Sequence, residues 1–212
     1  MTPLEELVAR DYFERSGFFL RLLHAPPPVS ASGASQKPGT KKFKRYPSYL
    51  LQRQTSREIN EELGDRFQLF SSDLGGLSVA VFVFFSWSGT GLTVPVFQSG
   101  SRYRGWIRRV VVPGFQASMD GLTEDFSLHD QALKMILLPG LPGMEPFRQE
   151  CIDLLKKAGV EAMLTFRTLL ESLVYQILPE SDSQHSSVSE LLRLLKVYEL
   201  FRSPQLDLFE DF

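Results

Sequence analysis

Leu77-Ser78-Val79-Ala80-Val81-Phe82-Val83-Phe84-Phe85-Ser86-Trp87 is the most apolar run in the chain. Its valines and phenylalanines follow one another with no polar side, which is the pattern of a strand covered on both faces. Ser88-Gly89-Thr90-Gly91 then turns the chain. The order of the elements around it, α-β-loop-β-β-β-α-β-α-α, argues for an α/β domain with a mixed central sheet flanked by helices. It is also far shorter than the ~20 residues that span a bilayer.

Working outward, the N-terminal side supplies a helix and two partner strands. Thr2, Pro3, Glu5 and Glu6 have the form of a helix start, with a hydroxyl cap, an early proline and carboxylates at the positive end of the dipole. Leu4, Leu7, Val8 and Tyr12 continue at helical spacing, and Gly17 is the expected stop. Phe18 to Leu23 reads as a strand, as does Tyr49-Leu50-Leu51. Between them, Ala25 to Thr40 has the composition of a flexible loop. Ser56 to Leu69 reads as a polar helix or loop.

On the C-terminal side, Leu92 to Phe97 is interrupted by Pro95 and is expected to be an edge strand at most. Trp106 to Val112 reads as a further strand closed by Pro113-Gly114, and Leu133 to Leu138 as a buried one. Pro146 opens a helix carrying Phe147, Cys151, Leu154 and Leu155. Val160 to Thr165 is the last strand, and Phe166, Leu169, Leu170, Leu173, Val174 and Ile177 mark the next helix. Ser187-Val188-Ser189-Glu190 has the form of a capping box. Residues 1–178 are thus expected as the α/β domain with a basic loop over 25–45, followed by a helix over 187–202 and a tail over 203–212.

The net charge of −2 provides no global attraction to nucleic acid or acidic membranes, so any electrostatic site must be local. Cys151 is alone, which rules out an internal disulfide and suits a reducing cytoplasm. Met1-Thr2-Pro3-Leu4-Glu5-Glu6 is acidic where a signal peptide would be basic. The expectation is a soluble cytoplasmic protein with no membrane partner. His24, His129 and His185 are scattered, no phosphate loop is present, and Phe85-Ser86-Trp87-Ser88-Gly89 lacks the first glycine of a nucleophile elbow. No metal or other cofactor is expected.

Two clusters are basic. Lys37, Lys41, Lys42, Lys44, Arg45, Arg53 and Arg57 precede Glu58, with Phe43, Tyr46 and Tyr49 among them. Lysine and arginine neutralise phosphates and aromatic rings can stack on bases, so Lys41, Lys42, Lys44, Arg45 and Arg53 are candidate DNA contacts. A merely solvated loop is the alternative. Arg102, Arg104, Arg108 and Arg109 form the second cluster and could line the same face.

The tail, Gln205-Leu206-Asp207-Leu208-Phe209, resembles the Gln-Leu-Ser/Asp-Leu-Phe pentapeptide by which bacterial polymerases and repair proteins dock on the replication sliding clamp. The resemblance implies that the Gln205 amide hydrogen-bonds at one pocket and that Leu208 and Phe209 fill an apolar one. The alternative is a tail folded back on its own domain. The opening Asp11-Tyr12-Phe13-Glu14-Arg15-Ser16-Gly17-Phe18-Phe19-Leu20-Arg21, the Lys-rich loop and the strands that follow resemble a restriction-endonuclease-like core with C-terminal helices added. That family places an Asp near Ser48-Tyr49-Leu50 and a Glu-x-Lys at Val83-Phe84-Phe85. This chain has neither, so the resemblance implies a nuclease-like domain without the active site. The bacterial sliding clamp, and DNA, are the expected partners. Two alternatives stand beside this reading. One is a nuclease drawing ligands from Glu14, Glu58, Asp65 and Asp73; the other is a structural subunit of a larger complex.

Overall fold

A computed structural model describes residues 3–24, 43–54, 66–122, 132–177 and 186–200. Helix α1 (Pro3–Arg15) leads through Gly17, at φ 82°, into β1 (Phe18–His24). β2 (Ser48–Arg53) and β3 (Val79–Phe84) follow, with a 3-10 turn (Ser71–Gly76) before β3. The three strands form an antiparallel meander. β4 (Leu133–Leu138) and β5 (Ala162–Thr165) add to it in parallel, giving a five-stranded sheet of order β1-β2-β3-β4-β5. The expected mixed sheet flanked by helices is therefore present.

The run that dictated this fold sits at the middle of the sheet. Ala80, Phe82 and Phe84 face a core shared with α1, α7 (Phe166–Gln176) and α8 (Ser187–Val197). Val83 and Phe85 face the opposite core, with Tyr103, Trp106, Ile107, Val111 and Cys151. Each parallel crossover contributes a helix. Glu145–Lys157 is α6, with Pro146 in its first turn, and Gly159 at φ 87° ends its descent into β5. The far edge of β5 is covered by residues 67–69, where Met163 donates to Phe67 O at 2.8 Å and receives Leu69 N–H on its own carbonyl at 2.8 Å.

Two expected strands are helices. Leu92 to Phe97 contains α3 (Val94–Gln98), after the single turn α2 (Trp87–Thr90), and Pro95 opens that helix rather than interrupting a strand. Trp106 to Val112 belongs to one continuous helical rod: α4 (Gly100–Trp106), a π turn (Ile107–Val111) and α5 (Val112–Asp120). Its β-branched residues favour a strand intrinsically. Burial decides otherwise, because Tyr103, Trp106, Ile107, Val111 and Phe115 recur at helical spacing and are all buried. In the π turn Val112 N–H reaches back to Ile107 O, and the wider turn carries the chain past Pro113, which has no N–H to give.

Candidate functional site

The endonuclease-like slots come first. Val83 and Phe85 are fully buried, and Phe85 packs on Tyr46 with ring centroids 4.5 Å apart. Ser48 is buried too, and its hydroxyl donates to Tyr46 O at 3.2 Å. These positions are core, shielded from solvent. Glu14 is exposed on α1, whereas Asp73 pairs with Arg66 at 3.0 Å and accepts Phe70 N–H at 2.8 Å; Glu58 and Asp65 lie outside the described residues. Among the described residues no three His, Cys, Asp or Glu side chains converge as a metal site would need.

The first basic cluster divides. Lys41 and Lys42 lie outside the described residues. Lys44 is exposed, donates to Gly89 O at 2.7 Å and stands 5.2 Å from the centre of the Tyr46 ring. Arg45 is exposed at the end of α5, where any side chain on Gly121 would meet its guanidinium. Arg53 is different. Its guanidinium donates to Leu77 O at 2.9 Å and Gly75 O at 3.0 Å, also bonds Leu74 O, and covers the Phe18 ring at 4.7 Å. It caps the 3-10 turn before β3, leaving Lys44 and Arg45 as the described cations turned to solvent.

The aromatic residues among these charges are mostly core. Tyr49 stacks on Phe82 with centroids 5.2 Å apart, and burial, with the Glu6 carboxylate beside it, holds its phenol well above the ordinary tyrosine range. Tyr46 is buried over Phe85, and its N–H donates to Ser118 Oγ at 2.8 Å. Phe43 alone of the three is exposed and free to stack.

The second cluster also divides. Arg104 and Arg108 line a groove of about 420 Å³ between the helical rod and α6, together with Ser101, Gly105, Glu150, Asp153, Leu154 and Lys157. Arg104 closes on Glu150 at 2.5 Å, and Asp153 accepts from Gln149 at 2.9 Å. Arg102 and Arg109 are exposed but are not part of the lining. Lys157 is the cation that the sequence did not point to, since it comes from a helix two elements away. On the other side of its helix, Lys156 sits 5.3 Å above the Phe67 ring.

The clamp-like residues Gln205, Leu206, Asp207, Leu208 and Phe209 lie outside the described residues. The chain leading to them is held firmly up to α8. Ser186 caps that helix by accepting Ser189 N–H at 3.0 Å. The Ser189 hydroxyl donates to the buried Asp11 carboxylate at 2.7 Å and accepts from Arg15 at 2.6 Å. Val188 and Leu192 are buried, and Lys196 donates to Ile177 O at 2.6 Å. Leu191, Leu194, Val197, Tyr198 and Leu200 are exposed. No family model, no curated protein and no solved structure matches the chain. No helix among the described residues is long and apolar enough to cross a membrane.

Proposed function

We propose that this protein is a non-catalytic accessory of DNA replication or repair. It docks on the bacterial sliding clamp through Gln205–Phe209 and touches DNA through the basic loop at Lys41, Lys42, Lys44 and Arg45. The observation that carries the reading is the pentapeptide, in which each position matches the clamp-binding pattern. Support comes from the exit of the chain: Tyr198, Glu199 and Leu200 are exposed at the end of α8. The apolar Val83 and Phe85 support the non-catalytic part, because metal-assisted cleavage needs carboxylates that hold the ion.

A peptide of this size is expected to bind a clamp with a Kd on the order of micromolar. Leu208 and Phe209 should carry most of that affinity as buried anchors. One observation favours a second reading: the exposed Leu191, Leu194 and Tyr198 give α8 an apolar outer face on which the tail could fold. The Leu208→Ala/Phe209→Ala double variant decides. Lost clamp binding with an unchanged Tm supports docking. A lowered Tm, with no clamp binding by the parent, supports the fold-back.

A further inference from the structure

The groove between α4 and α6 lies on the opposite side of the sheet from α8, and part of its charge is unused. Arg104 and Glu150 neutralise each other, while Asp153 accepts only from the neutral Gln149 amide and keeps its charge. Arg108 and Lys157 line the same groove with no ion-pair partner among the described residues. With Arg104, Arg108 and Lys157 set against Glu150 and Asp153, the groove keeps a net positive charge, which an anion bound at Arg108 and Lys157 would offset. The local backbone favours a ligand as well. Arg108 stands in the π turn, a widened helical geometry found often at functional sites. Arg109 adds to the positive charge here: its guanidinium lies 3.4 Å from where a Gly105 side chain would begin, beside the groove floor.

We infer that this groove binds a nucleoside phosphate. The Arg108 guanidinium offers a planar pair of donors to the phosphate and Lys157 a mobile point charge, the usual division of labour in phosphate recognition. Asp153 on the α6 wall supplies an acceptor for an amino or hydroxyl group of the nucleoside, and Leu154 supplies an apolar surface beside it. A bare inorganic anion would use the cations and be repelled by Asp153; a nucleoside phosphate uses both. The volume is that of a small-molecule cleft. The same chemistry is offered by a free mononucleotide and by one residue of a single strand. The site stands independently of clamp docking.

The test uses the full chain and three probes: deoxynucleoside monophosphates, a labelled mixed-sequence single strand of about 16 residues, and inorganic phosphate. Arg108→Glu/Lys157→Glu should weaken binding by roughly tenfold or more at about 50 mM salt. For the strand, the slope of log affinity against log salt should become shallower by about 0.7, from the one phosphate that the two cations neutralise. Arg108→Gln/Lys157→Gln should weaken binding in the same direction, so a fold effect of the reversed charges is separated by comparing Tm. Binding of the monophosphates identifies the free nucleotide, and binding of the strand alone identifies nucleic acid. The inference is overturned if the parent binds no probe, if inorganic phosphate binds as well as the monophosphates, or if the groove variants bind as the parent does. It is also overturned if Lys44→Glu/Arg45→Glu abolishes strand binding while the groove variants leave it intact. Clamp binding, measured on the same variants, should be unchanged.

Discussion

Tyr103 and Gly114 show how tightly the core beneath the helical rod is specified. The Tyr103 hydroxyl donates to Gly140 O at 2.5 Å, and both groups are buried. Tyr103→Phe leaves that carbonyl dry and unpaired, which should cost about 1–3 kcal/mol. A urea titration would show it as a lower midpoint with an unchanged slope. At Gly114 a Cβ would stand 2.5 Å from Tyr46 Cε2, and the ring cannot retreat because Phe85 packs behind it. Gly114→Ala should therefore destabilise by about 1–3 kcal/mol through overpacking. These constraints were invisible in the sequence, where Gly114 looked like a turn residue after a strand. Arg53 was misleading for a related reason. It counts as one more cation in a basic stretch until strand pairing brings the carbonyls of Leu74, Gly75 and Leu77 to its guanidinium.

Among the elements, α8 is the one whose attachment rests on few contacts that can be removed singly. Asp11→Ala takes away the acceptor of Ser189 and the partner of Arg15, at a cost of about 1–3 kcal/mol. Hydrogen exchange should then quicken over residues 186–200 while β3 and β4 keep their protection; uniform quickening would show that α8 is not a separate unit. Elements such as β3, β4, α6, α7 and α8 were legible because their signals are local: an unbroken apolar run, or a cap followed by leucines at helical spacing. The rod from Gly100 to Asp120 was not, although the spacing of Tyr103, Trp106, Ile107 and Val111 was present. Its valines favour a strand, and Pro113, like Pro95 before the rod, reads as a stop although each sits in the first turn of a helical segment. The groove was lost with the rod, since Ser101, Arg104, Gly105 and Arg108 line one wall together only at helical spacing, and Lys157 reaches them only through the packing of α6.

At the scale of the whole molecule the buried acids set an upper limit on pH. Burial, with Glu150 adding and Arg104 opposing, pushes the Cys151 thiol from 9.0 up to about 11, and burial raises Tyr12, Tyr46, Tyr49 and Tyr103 in the same direction. The native state therefore holds these protons more tightly than the unfolded chain does. Their contribution is fully present below pH 9 and is lost as pH rises from there through the folded values. Tm should be level to about pH 9 and fall beyond it, and the Cys151 thiol should stay unreactive to a thiol reagent at about pH 8 until the protein unfolds. The same architecture has a consequence for synthesis. The core beneath α1 takes Ala162, Leu164, Leu169, Leu173, Val188 and Leu192 from the last part of the chain, and Asp11 meets Ser189 across 178 positions. At ~5–20 residues per second, α1 and the apolar β3 wait on the order of ten seconds or more for those partners to leave the ribosome. Three of the five strands are thus made while α1 is the one helix able to cover that face, so apolar surface on β3 stays exposed to aggregation until α7 and α8 emerge.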